Sequence, residues 1–167
     1  MNKEERSLFE EAVFKWWYGL QHDGGGLANL RHQSDIFGIQ CVPCFYDLVK
    51  MIEESIPSLF KGSESFMISN MDMIACVAMA VCHIERDSKE NIAALMGKTI
   101  ETGHTVSEVR FNKMIATNRD ELPRELIRIM PMIDNVANVK KLASDIWGWD
   151  LETSYVKKNW LREYYSS

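Results

Sequence analysis

The sequence has none of the short motifs by which nucleotide-handling and hydrolytic enzymes are commonly read. It contains no P-loop, no Gly-x-Gly-x-x-Gly and no Gly-x-Ser-x-Gly. The one glycine run, Gly24-Gly25-Gly26, lacks the following Lys-Ser/Thr of a phosphate cradle and reads as a loop. His22, His32 and His83 have no partners at the spacing of a triad or a metal site. Catalysis and a bound cofactor are therefore not expected. Long hydrophobic runs are missing too. The only candidate membrane span, Phe66 to Ile84, contains Ser69, Asn70, Asp72 and His83, and its uninterrupted part, Met73 to Cys82, is too short to cross a bilayer. It is expected to be the buried central helix of a soluble protein. Cysteine occurs only four times, and the opening Met1-Asn2-Lys3-Glu4-Glu5-Arg6 continues amphipathic, without an export signal. Reduced thiols in a cytoplasmic protein are the expectation.

What is present is ordinary for a soluble globular chain: 167 residues, 46% hydrophobic and 26% charged. That length suits one domain spanning 1–167, or two lobes, about 1–85 and 86–167, sharing a core. The net charge of −5 argues against an overall basic nucleic-acid binder, but it is unevenly spread. Residues 1–85 hold 6 basic and 12 acidic residues, whereas residues 86–167 hold 13 and 12. A polyanion would meet the second half, leaving the acidic first half to face proteins.

Apolar spacing predicts helices throughout. Phe9, Ala12, Val13, Trp16, Trp17 and Leu20 keep a three-and-four rhythm over about 4–20. Leu27 to His32 reads as one or two helical turns. Pro43 opens the next helix, where its missing donor costs nothing, and Pro57 closes it. After the central helix come Ile92 to Ile100 and then a helix announced by Thr105 and Glu108 as a capping box. Another starts at Asp120 with Pro123 just inside, and its Glu121, Arg124, Glu125 and Arg128 are spaced for intrahelical ion pairs. Val139 to Trp147 and Leu151 to Tyr165 complete the set. No stretch alternates as a strand, so the fold is expected to be all-α, a compact bundle of roughly seven to nine short helices.

The helix after Thr105 holds the candidate binding residues. Phe111, Met114, Ile115 and Asn118 share a face that should be buried, while Arg110, Lys113 and Thr117 lie on a flank and Arg119 follows. A basic flank beside a packed face can hold a polyanion backbone. The same cations also read as a solvated face, pairing with Glu108, Asp120 and Glu121. Arg31 leaves its element as a lone cation, and Lys140-Lys141 are expected to be exposed.

Three other constellations read as packing. Cys41 and Cys44 form a Cys-x-x-Cys, but no strand precedes it as a redox motif requires. Glu101 and His104 match the Glu-x-x-His of di-iron bundles only once, interrupted by Gly103. Trp16-Trp17 and Trp147/Trp149 have aromatic faces on which bases could stack, yet their helical spacing reads as core.

Taken in order, several pieces resemble the CasB family, the small helical subunit of the type I-E CRISPR surveillance complex, Cascade. They are Trp16-Trp17 with Leu20, Leu27 to Arg31, Val42 to Val49, Gly97, and Ser107 to Phe111 with Met114-Ile115 and Arg119. Trp147, Trp160 and Tyr164-Tyr165 close the series. The resemblance implies an all-α, non-catalytic subunit without cofactor or metal. Its implied partners are the backbone and large subunits of Cascade, a second copy of itself, CRISPR RNA and target DNA, whose R-loop it would stabilise. Arg31, Arg110 and Arg119 match basic positions of the family and are the first candidates for nucleic-acid contact. Lys113, Lys140 and Lys141 follow from charge and expected exposure alone. The family's second basic residue after Arg31 is here His32. The competing reading is an all-α protein-interaction adaptor that makes no direct nucleic-acid contact.

Overall fold

The computed structural model describes residues 1–101, 103–151 and 155–167. Helix α1 (Lys3–Leu20) is closed at its start by a reciprocal capping box between Asn2 and Glu5, each bond 2.9 Å long. All six of its predicted apolar positions are buried. Helix α2 (Gly24–Arg31) begins inside the glycine run rather than after it. The Asp23 carboxylate accepts from the Gly26 amide at 3.0 Å, a cap strong enough to offset poor glycine propensity in the first turn. A Cβ at Gly26 would stand 2.3 Å from Asp23 Oδ2 and 3.2 Å from Cys44 Sγ, so only glycine lets that cap fold over.

Helix α3 (Ile36–Gln40), capped by Asp35, is a five-residue element that apolar periodicity did not reveal. Helix α4 (Pro43–Ser55) starts at Pro43 as expected, and a 3-10 turn over Pro57–Phe60 follows it. Helix α5 (Glu64–Val81) is the only described helix long and apolar enough to cross a membrane, with a mean hydropathy of 1.3. Its residues Met73 to Val81 are all buried. It packs against α3 and α4, and also against α8 (Leu122–Ile129) and α9 (Val139–Trp147). Helix α1 lies across α4 and α9. Helix α6 (Ile92–Gly97) is covered by α10 (Val156–Tyr165), while α7 (Glu108–Ala116) lies beside α8.

The described residues thus form ten α-helices, more than the seven to nine expected, α3 being the helix that the sequence reading lacks. Four two-residue strands join them. In chain order these are β1 (Arg86–Asp87), β2 (Thr99–Ile100), β3 (Gly103–His104) and β4 (Val136–Ala137). β1 runs parallel to β4 with Arg86 opposite Val136; β2 runs antiparallel to β3 with Thr99 opposite His104. The second pair corrects two expectations. Ile100 is exposed on β2 instead of ending the 92–100 helix. Thr105 is drawn to the β2 side, its amide and hydroxyl both donating to the Lys98 carbonyl at 2.9 and 3.1 Å, so it cannot cap α7. Ser107 takes the N-cap position without a side-chain bond.

Two further boundaries shift. Asn118 lies beyond the end of α7 and is exposed, its Oδ1 accepting from the Glu121 amide at 3.0 Å to brace the entry to α8. The predicted last helix begins only at Val156; Leu151 is exposed, and residues 152–154 lie outside the described residues.

Candidate nucleic-acid interface

Helix α7 is oriented by the chain's last helix. The Tyr164 ring stacks on Phe111 at 3.9 Å with an interplanar angle of 7°, and its hydroxyl donates to the Val106 carbonyl at 2.6 Å. With Phe111 and Met114 turned into the core, Arg110 and Lys113 project outward. Helix α8 is strongly two-faced: Leu122, Leu126 and Ile129 are buried, and Arg124 and Arg128 are exposed. The two helices enclose an open cleft of about 330 Å³ lined by Arg110, Lys113, Glu125, Arg128 and Ile129.

Glu125 sits between the cations. Its Oε1 is 3.1 Å from Lys113 Nζ and 2.8 Å from Arg128 Nη1. Arg110 has no carboxylate within ion-pair distance among the described residues and donates to Met132 Sδ at 3.0 Å. Sequence spacing alone presents Arg128 as a simple surface partner of Glu125 three residues earlier. The pair does form, but on the side of α8 that faces α7.

The other candidate cations are not gathered into this cleft. Arg31 donates from Nε to the Cys82 carbonyl at 2.8 Å and reaches Glu85 at 4.0 Å, closing the C-terminus of α5. Arg119 is only one-quarter exposed; its Nε is buried 3.5 Å from Asp120 Oδ1 without a hydrogen bond. Its amide donates to Asp150 at 2.8 Å. Lys140 pairs with Glu11 of α1 and lies over the Phe14 ring, and Lys141 pairs with the wholly buried Asp145. Both lysines are half-buried, which corrects the expected exposure: Lys140 fastens α9 to α1, and Lys141 pairs within α9 itself.

Residues 27–165 match the family described as CRISPR-associated protein Cse2. The chain belongs to the Cse2 family. Cse2 is the CasB family that the sequence pieces resemble, a family of structural subunits of Cascade, so the chain is a Cascade component that assembles with other subunits. No curated protein and no solved structure gives a match. The Cse2 match begins within α2, so Trp16 and Trp17 of α1 lie outside it.

Around the cleft, the remaining motifs serve packing. The indole N–H groups of Trp16, Trp17, Trp149 and Trp160 donate to Cys44 O, Ile84 O, Thr117 O and Asp145 Oδ2, all at 2.7–3.0 Å. All four rings are buried, so no base can stack on them, whereas the fourth candidate, Trp147, is half-buried and packs edge-on against Phe9 at 5.0 Å. Burial, with Asp23 and Asp47 nearby, raises the Cys44 thiol pKa, the opposite of what an attacking thiolate needs. Burial pushes Cys76 and Cys82 up to about 12. Among the described residues no three His, Cys, Asp or Glu side chains are grouped to hold a metal. His104 instead contacts the Gly97 carbonyl through Nδ1 at 2.6 Å.

Proposed function

We propose that this Cascade subunit is a non-catalytic, cytoplasmic clamp that grips a nucleic-acid backbone in the α7–α8 cleft and thereby stabilises the R-loop. One observation carries the reading: Arg110, Lys113 and Arg128, from two helices, converge on one open cleft whose walls are fixed by buried packing. Base pairing between guide and target supplies sequence recognition, so the clamp needs only cations for phosphates. R-loop exchange is nearly balanced in other RNA-guided effectors, and a few backbone contacts suffice to tip it. The acidic first half is the surface for the backbone and large subunits of Cascade or for a second copy of the chain. CRISPR RNA and target DNA are both candidates for the gripped strand.

The adaptor reading draws on the ion pairs of Arg31, Lys113, Arg119, Lys140 and Lys141, which leave Arg110 alone of the six candidates without a carboxylate partner among the described residues. Dissociation of target DNA from the reconstituted complex separates the two. With Arg110→Ala, Lys113→Ala and Arg128→Ala combined, the clamp predicts roughly tenfold faster dissociation at low salt, converging with wild type as salt rises. Unchanged dissociation with an intact complex would establish the adaptor.

A further inference from the structure

The cleft contains an acid, Glu125, set between two of its three cations. Glu125 is only 16% exposed at its side chain, held between α7 and α8, whereas Lys113 and Arg128 are 63% and 66% exposed. The cations can swing outward and the carboxylate cannot. Arg110 alone faces the cleft without an acidic partner among the described residues.

We propose that Glu125 is an internal competitor for the nucleic-acid phosphate, holding Lys113 and Arg128 in check so that the cleft takes up a strand only when the assembled complex presents it. The proposal rests on the backbone-clamp reading and names how that site is regulated. A strand arriving from solution meets Arg110 first, then must draw two cations away from a carboxylate that remains beside them. The repulsion is felt at every encounter, which keeps the free subunit from coating unrelated DNA. Inside the complex the strand is tethered, and its high effective concentration overcomes the same repulsion and draws the two cations outward. A chain of net charge −5 can then act on nucleic acid without being a general DNA binder.

The test uses the full-length chain and a fluorescein-labelled oligothymidine strand, titrated by anisotropy across a salt series. Glu125→Gln keeps the shape and removes the charge. Removing one unit charge about 4 Å from a phosphate in a water-like medium should raise affinity roughly fivefold at low salt. The salt dependence should steepen by about 0.7 in log–log slope, as for one more neutralised phosphate on a single strand. Glu10→Gln is the control: it makes the same change in net charge and releases Arg6 from an ion pair, but on α1. It should leave the affinity unaltered. Where binding by the free chain is too weak to follow, release of target DNA from the reconstituted complex is read instead, with Glu125→Gln slowing it.

If Glu125→Gln matches wild type while Lys113→Ala/Arg128→Ala weakens binding, the competitor proposal is wrong and the clamp survives. If Glu10→Gln raises affinity equally, the effect is one of net charge and the proposal again falls. If neither the cation variants nor Glu125→Gln changes anything, the clamp reading itself is lost.

Discussion

Replacing Gly97 by alanine should damage this protein far more than a one-carbon change suggests. Gly97 ends α6 where α10 crosses it, and a Cβ there would lie 2.1 Å from the Tyr164 carbonyl oxygen and 2.8 Å from Tyr164 Cα. The opposing atoms are backbone, so no side chain can rotate aside; α10 must lift by roughly 1 Å to restore ordinary contact. That shift strains two buried hydrogen bonds, Trp160 Nε1 to Asp145 Oδ2 at 2.7 Å and Tyr164 hydroxyl to Val106 O at 2.6 Å. Overpacking costs about 1–3 kcal/mol, and weakening those bonds adds about 1–2 more, giving a destabilisation of about 2–5 kcal/mol. For a chain of this size that is a fall in Tm of roughly 4–20 °C. Gly19→Ala is the matched control, since no atom lies within 4 Å of its Cβ position on α1. It should gain up to about 1 kcal/mol from helix propensity. Thermal and urea denaturation followed by circular dichroism measure both. If Gly97→Ala melts within a degree or two of wild type, or above it, the close approach of α6 and α10 is not as described.

Two other perturbations read different parts of the molecule. Asp145→Ala removes a buried carboxylate shared by Lys141 and the Trp160 indole, and should cost about 3 kcal/mol in urea unfolding; a loss below about 1 kcal/mol would mean those groups readily find other partners. Burial and then Arg31 lower the His83 pKa from 6.5 to about 4. Between those values the unfolded chain binds the extra proton, so stability is full above pH 6.5 and is lost as pH falls through about 4. His83→Gln should flatten that part of the Tm–pH profile, and an unaltered profile would remove His83 as its source.

The helical bundle was legible because apolar spacing records which face is buried: Phe9 to Leu20, Phe45 to Ile52 and Leu122 to Ile133 all pack as the periodicity says. Local signals failed where a distant partner outbid them. The Thr105–Glu108 pattern is a capping box by spacing, yet the Lys98 carbonyl takes Thr105. The glycine run looks like a break, but Asp23 caps it into a helix. The cleft was half legible. Arg110 and Lys113 stand out on one helix, whereas Arg128 joins them only through the packing of α8 on α7. The ion pairs of Lys140 with Glu11 and of Lys141 with Asp145 span helix contacts or burial that a charge count cannot see.

The stack of Tyr164 on Phe111 also sets a schedule. The hydroxyl of Tyr164 and its acceptor Val106 are 58 residues apart in the chain, and both lie wholly within the fold. While a ribosome is still adding the intervening residues, α7 has emerged with its basic flank but nothing holds its apolar side. The wall of the α7–α8 cleft is therefore completed only when the last helix to be made, α10, closes over α6 and stacks Tyr164 on Phe111 of α7.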